Sequence, residues 1–273
     1  MSALRTTADG TQTLYSSRFQ QTYHSLHGAL AEADHLYVYL SRVRPVLVER
    51  GHASVLEVGF GTGLNLIATL RACSHIAGTL RYVSMEPFPL TPDAIDAVGY
   101  AGLLSGAESE WYRSFMGRLA TAPEGELVCA ETRIEGLHLD LRVWRGAWAD
   151  LPATLTNFDA VYQDAFSPES CPELWTPEHF AQVRERLRDG VGTLATYSCA
   201  SAVRRAIAAA GWEVQRVQGP AGGKREVLQA MCNPSGLPMP GGTDGYGIRT
   251  RGVISEEGMR RAARRLRQAV ASA

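Results

Sequence analysis

Alternating glycines and a few acids at strand ends carry most of the chemistry legible in this chain. In Ser54-Val-Leu-Glu-Val-Gly-Phe-Gly-Thr-Gly-Leu-Asn65, Gly59, Gly61 and Gly63 are spaced by two, and Glu57 stands just ahead of them. Val55 to Val58 reads as a short buried strand, and the glycines let the chain turn at positive φ close to a ligand. A helix from about Leu64 to Ala72 then points its free N–H groups at whatever lies over the turn. A dinucleotide fingerprint has its third glycine three residues after the second, so Gly63 comes one residue early for an NAD oxidoreductase. The plain alternative is a tight strand-to-helix turn that holds nothing. Glu86 ends a second predicted strand, Leu80 to Glu86, and Asp164 ends the strand Asn157 to Asp164. In a doubly wound sheet the first falls about where a ribose lies, and the second at the carboxyl edge where ligands bind. Their bland readings are a solvated strand-end acid and a helix-capping acid.

The elements that must position these groups follow in order. Alternation around Thr13 to Tyr15 predicts a small strand or hairpin, and Ala29 to Arg50 predicts helices broken near Pro45. Thr91 to Ala120 reads as helix, with Pro92 at its start and a break between Gly102 and Gly106. Leu127 to Arg133 and Leu137 to Trp144 read as a hairpin whose second arm continues into the sheet. Thr176 caps a helix that begins at Pro177 and runs to Leu187. Val191 to Tyr197 is a further strand, Ala200 to Ala210 a helix, and Trp212–Val217 with Arg225–Met231 an antiparallel closing pair. Strands alternating with helices imply an α/β doubly wound fold. The expected divisions are residues 1–50 covering the sheet, 51–232 as the main domain, and 233–273 as an irregular tail with a short basic helix.

Composition excludes more than it suggests. The chain has 273 residues and a formal net charge of -1, so charge alone argues for no partner. Lys224 is the single lysine among 27 basic residues, a swap that genomic base-composition bias explains. Five dispersed cysteines without a C-x-x-C pair resemble neither a disulfide framework nor a metal site. The polar N-terminus and the lack of long apolar runs predict a soluble, cytoplasmic protein with no membrane span.

The Glu-x-Gly-x-Gly-x-Gly order resembles motif I of class I methyltransferases, which bind S-adenosyl-L-methionine. Further runs are Tyr23-His-Ser25 with Gly28 and Glu32, Glu86-Pro-Phe-Pro-Leu90, and Gln163-Asp-Ala-Phe-Ser-Pro168 with Pro172-Glu-Leu-Trp-Thr-Pro177. Gly192-Thr-Leu-Ala-Thr-Tyr197 and Lys224-Arg-Glu226 complete the set. Together they resemble the methyltransferase half of the MnmC family of tRNA wobble-uridine enzymes, over roughly Tyr15 to Ala230. The resemblance implies a seven-stranded class I methyltransferase (Rossmann-like) sheet with a terminal antiparallel hairpin and a small β-hairpin insertion. It implies N-methylation of the 5-aminomethyl group of (2-thio)uridine in the tRNA anticodon stem-loop. The bifunctional relatives carry an FAD oxidase domain. This chain is expected to lack one and to receive its substrate from separate upstream tRNA-modifying enzymes.

The resemblance also distributes roles. Tyr23, Ser25, Glu57, Gly59, Phe60, Gly61, Gly63, Asn65, Glu86 and Asp164 are the expected cofactor contacts. Asp164 is the expected catalytic group, holding the amine and receiving or relaying its proton. Phe166 is a wall for the uracil ring or core; Trp175 and Tyr197 are stacking groups for a flipped base or buried aromatics. Lys224, Arg225 and a C-terminal run from Arg260 to Arg267 are phosphate contacts or a solvated face. Two departures stand out. Gly146-Ala147-Trp148 replaces the Gly-Asp expected at the adenine, which leaves Trp148 packing on the purine or Asp150 or a backbone carbonyl binding it. His24 replaces a phenylalanine, and His24 and His27 read as loop histidines rather than bases. The rival readings are a class I methyltransferase for another amine and a tRNA-binding module with a vestigial pocket.

Overall fold

In a computed structural model of the chain, residues 3–220, 222–223 and 226–233 are described. Strand β4 (His52–Val58) lies near the middle of the main sheet, flanked in parallel by β5 (Gly78–Met85) and β8 (Ala160–Gln163). Beyond β5 lie β7 (Leu137–Arg145) and then β6 (Glu126–Ile134); beyond β8 lie β9 (Gly192–Thr196), β11 (Glu226–Cys232) and β10 (Glu213–Gln218). The order β10-β11-β9-β8-β4-β5-β7-β6 makes eight strands, one more than the seven expected. The difference is β6. Both arms of the hairpin pair in register from Glu126↔Arg145 to Ile134↔Leu137, so the first arm becomes an antiparallel edge strand rather than a separate insertion.

Period-two alternation sends the strands' side chains to two cores. Val55, Leu80, Tyr82 and Tyr162 face one side, against α2 (Val43–Arg50), α3 (Leu64–Cys73), α4 (Pro92–Val98) and α5 (Gly106–Thr121). Leu56, Val58, Val83 and Val161 face the other, against α6 (Pro177–Glu185) and α7 (Ser201–Ala209). Each such fully buried aliphatic chain contributes about 1.5–3 kcal/mol of apolar burial. Glu57 is one residue from Leu56 and Val58, so it projects into the first core, with no exposure to solvent. That placement decides much of the site.

The N-terminal segment is built as its own layer. β1 (Ala3–Thr6), β2 (Gln12–Ser16) and β3 (Gln21–Thr22) form a three-stranded antiparallel sheet, larger than the hairpin expected around Thr13. α1 (Ala29–Glu32) follows and continues as a wide π-type turn over Ala33–Tyr39. The expected break near Pro45 falls at Arg42, which adopts φ +61. Pro45 sits in the first turn of α2, where a missing N–H leaves no bond unmade. Among the described residues, no helix is long and apolar enough to cross a membrane.

Gly78 opens β5 against the end of α2. A Cβ there would lie 2.6 Å from the Gly51 carbonyl oxygen and 3.0 Å from Leu47 Cδ1. Because the nearer contact is backbone, Gly78→Ala is expected to destabilise the fold by about 1–3 kcal/mol. A thermal melt within 1 °C of wild type would refute that close approach.

Candidate active site

The glycine turn between β4 and α3 has all three glycines at positive φ: Gly59 at +97, Gly61 at +54 and Gly63 at +70. Gly59 passes so close to the β8 loop that a Cβ would meet Asp164 O at 3.0 Å, and one on Gly61 would meet Tyr23 Cδ1 at 3.1 Å. The turn spends its own donors internally. Phe60 N–H donates to Met85 O at 3.1 Å, Gly63 N–H to Phe60 O at 2.8 Å, and Gly61 N–H to Glu86 Oε2 at 2.7 Å. A phosphate cradle needs those N–H groups aimed at the ligand. Here they are not, which agrees with the glycine spacing in excluding a pyrophosphate.

Above the turn is a cavity of about 470 Å³, bordered by the N-terminal sheet and the β8 loop. Tyr23, Ser25, Gly59, Phe60, Gly61, Asn65, Glu86, Asp164, Phe166 and Tyr197 line it, as does Glu32 from α1. Glu86 accepts from Gly61 N–H on one oxygen and from Phe88 N–H, at 2.8 Å, on the other. Each oxygen keeps a lone pair for a further donor such as a ribose hydroxyl.

Asp164 is the focus of a buried network. Tyr37 Oη donates to Asp164 Oδ1 at 2.6 Å. Asn65 Nδ2 donates to Asp164 Oδ2 at 2.7 Å and to Glu57 Oε1 at 2.9 Å, so one amide group bridges two carboxyls. Turning that amide over would set its oxygen against both, which fixes the assignment. Burial pushes the Glu57 carboxyl well above the usual range, and the Asp164 charge pushes it further. Glu57 is thereby favoured in its neutral form. It lies beneath the cavity and does not line it, so the expected direct cofactor contact is replaced by a hydrogen bond to Asn65, which does line the cavity.

Tyr37 was not legible in the sequence, because the π-type turn that aims it at Asp164 has no residue signature. His24, read as a loop histidine, is a tether. Its Nδ1 lies 3.2 Å from both Thr13 Oγ1 and Tyr100 Oη, and its Nε2 lies 3.1 Å from Thr62 Oγ1 in the glycine turn. Tyr100 Oη spends its own proton on Gln12 O, so it accepts from a protonated Nδ1, leaving Nε2 to accept from Thr62. Burial lowers its pKa to about 4. Gln21 makes a second tether, donating to Ser167 Oγ at 2.5 Å and Ser170 Oγ at 2.8 Å while accepting from Ser167 N–H at 3.2 Å.

Other expected residues lie elsewhere or are held by other partners. Trp148 is 8% exposed, donates to Gln182 Oε1 at 2.7 Å and packs edge-on to His179, so it does not line the cavity as a purine platform would. Trp175 is 5% exposed and donates to Phe166 O at 2.8 Å; it supports the loop rather than offering a stacking face. Tyr197 lines the cavity, but its hydroxyl donates to Ala165 O at 2.9 Å. Gly63 serves as the N-cap of α3 and does not reach the lining. Lys224, Arg225 and the Arg260–Arg267 run lie outside the described residues.

Residues 109–233 match the family described as S-adenosyl-L-methionine-dependent methyltransferase, a span that includes Asp164 but not the glycine turn. The tRNA 5-methylaminomethyl-2-thiouridine biosynthesis bifunctional protein MnmC of Cupriavidus necator is 30% identical over 81% of this chain and 33% of its own length. The protein of the same name from Pseudomonas aeruginosa is 34% identical over 78% of this chain and 32% of its own. The crystal structure of MnmC2 from Aquifex aeolicus matches with a TM-score of 0.66 and 27% identity, over 84% of this chain and 70% of that one. The chain is similar to these MnmC proteins and, over residues 109–233, to this methyltransferase family. It spans about a third of the length of the curated relatives it matches.

The cavity of this chain fits S-adenosyl-L-methionine as cofactor. A cationic sulfonium and amine suit walls that carry Glu32, Glu86 and Asp164, and the space over Gly61 is one that a side chain would take. Gly59, Gly61, Glu86, Tyr23 and Ser25 would hold the cofactor.

Two outcomes check this geometry. Gly61→Ala, strained at φ +54 and pressed on Tyr23, is expected to weaken S-adenosyl-L-methionine binding at least about 10-fold in calorimetry, the equivalent of about 1.4 kcal/mol. Stability should also fall as pH drops from about 6.5 towards 4. In that window the unfolded chain protonates His24 and His179, whose folded values burial holds at about 4 and about 3. Above pH 6.5 both states are neutral and the dependence vanishes. A denaturant midpoint as high at pH 5 as at pH 7.5 would contradict the buried, neutral histidines.

Proposed function

We propose that the chain N-methylates the 5-aminomethyl group of (2-thio)uridine at the tRNA wobble position, giving 5-methylaminomethyl-2-thiouridine. The observation that carries this reading is Asp164, facing the cavity with one oxygen held by Tyr37 and the other by Asn65. The names of the relatives supply the substrate, and the acidic cavity suits a primary amine that arrives as its ammonium.

The acceptor amine has to lose a proton before its lone pair is available, and an alkylammonium starts near a pKa of about 10. Bound S-adenosyl-L-methionine supplies an electrophilic methyl group and a positive charge that lowers that value. Asp164 orients the ammonium through hydrogen bonds and takes its proton at a carboxylate oxygen. Tyr37 and Asn65 hold the carboxylate in one orientation, which turns placement into rate. Phe166 lines the cavity two residues further along the chain, and Trp175 and Tyr197 pin its loop by donating to the carbonyls of Phe166 and Ala165. Phe166 is thereby placed to wall the pyrimidine ring. Burial favours the neutral form of Glu57, bridged by Asn65, and so limits the charge beside Asp164.

Mass spectrometry of wobble nucleosides from cells lacking the protein tests the reading; accumulated 5-aminomethyl-2-thiouridine is expected, and unchanged methylated product overturns it. With purified protein, Asp164→Asn should lower kcat by about 10²–10⁴-fold. Tyr37→Phe removes one hydrogen bond to a charged group, worth about 1.5–3 kcal/mol, so kcat should fall about 10- to 100-fold while cofactor affinity holds. Wild-type turnover in both variants would remove Asp164 from the chemistry.

A further inference from the structure

The cavity interior and its mouth carry opposite charge. Inside are Glu32, Glu86 and Asp164. At the mouth, the N-terminal sheet presents two exposed arginines, and among the described residues neither makes an ion pair. Each lies over an aromatic ring instead: the Arg5 guanidinium is 5.0 Å from the Tyr15 centroid, and that of Arg18 is 4.0 Å from the Phe88 centroid. Phe88 is 42% exposed, one of only a few large apolar side chains so exposed among the described residues. A scattered exposed apolar residue needs no explanation. Phe88, however, starts a series: its centroid is 5.9 Å from Phe19, and Phe19 stacks at 4.2 Å, 22° from parallel, on Phe166 within the cavity. The rings therefore run from solvent to the loop that carries Asp164.

We propose that this rim is a polynucleotide-binding surface, on which Phe88 and Phe19 stack bases and Arg5 and Arg18 contact flanking phosphates. It rests on the reading of the acceptor as an RNA nucleotide and assigns the contact surface to the N-terminal sheet. The chemistry matches piece by piece. Arginine on an aromatic face is weakly hydrated and free to fork onto phosphate oxygens, and flat rings accept any base. Negative charge inside the cavity repels a phosphate and attracts an ammonium, so the charge pattern admits the modified base while the backbone stays at the rim. The tethers of His24 to Thr62 and Gln21 to Ser167 hold the rim in register with Asp164.

The test uses the full chain, a fluorescent anticodon stem-loop RNA and anisotropy over a salt series. Arg5→Ala/Arg18→Ala is expected to bind at least about 10-fold more weakly and to reduce the slope of log K against log salt by about 2, one for each lost phosphate contact. Phe88→Ala should weaken binding by about 5- to 100-fold with an unchanged slope, and Phe88→Tyr should restore it. S-adenosyl-L-methionine affinity, measured in parallel, reports that the cavity is intact. If wild type binds the RNA and transfers methyl, but all three variants match it, this surface is wrong while the methylation reading stands. If wild type neither binds RNA nor transfers methyl to it, the methylation reading fails and this proposal with it. Competition by a polyglutamate peptide equal to that by RNA would reduce the rim to a general anion patch and overturn the stacking role.

Discussion

One side-chain amide ties the two halves of this site together. Asn65 stands in the first turn of α3, and its two Nδ2 hydrogens go to Glu57 on β4 and to Asp164 after β8. Without that bridge, two carboxyls would meet in a water-poor space, where like charges strongly disfavour each other. With it, the Glu57 carboxyl is favoured neutral by burial, and Asp164 is held by donors on both oxygens. The glycine turn exists as much to let this helix start at the right place as to make room for a ligand. Gly63 at φ +70 caps α3, and Gly59 at φ +97 lets β4 and the β8 loop pass within van der Waals distance.

The second constraint is the N-terminal layer. Class I sheets leave the carboxyl edges of their strands open, and this chain covers that edge with β1–β3. The cover is pinned on both sides: His24 to the glycine turn, and Gln21 to the loop after Asp164. Phe19 stacking on Phe166 adds an apolar contact between the same two pieces. Covering part of the cavity lowers the local dielectric, which strengthens the charge interactions within it. The acids that line the cavity therefore act on a cationic ligand more strongly than they would in an open groove.

Charge is distributed rather than accumulated. The net charge of -1 gives no hint of an acidic interior or of arginines laid over aromatic rings at its mouth. Both are products of placement. Several aromatics that sequence reasoning offered to a base or a purine are used for support instead. Trp175 holds the Phe166 carbonyl, and Trp148 is engaged by Gln182 and His179 in the second core. An indole N–H rarely stays unpaired when buried, and each of these found a carbonyl oxygen as its partner.

The α/β alternation, the glycine turn, and the acids at the ends of β5 and β8 were readable in the chain because they rest on local rules: strand periodicity, positive φ at glycine, and the carboxyl-edge position of ligands. The same rules singled out Gly59, Gly61, Glu86 and Asp164, all of which line the cavity. They could not assign Glu57, because a strand acid points to ligand or to core according to which face the helices cover. Nor could they find Tyr37 or His24. A tyrosine in a π-type turn and a histidine in a loop acquire roles only from partners 127 and 38 residues away. Likewise the eighth strand depended on whether both arms of a hairpin reach the sheet edge. Local sequence settled which groups were available; long-range packing settled which of them share a cavity, since contacts across the chain have no signature in residue spacing.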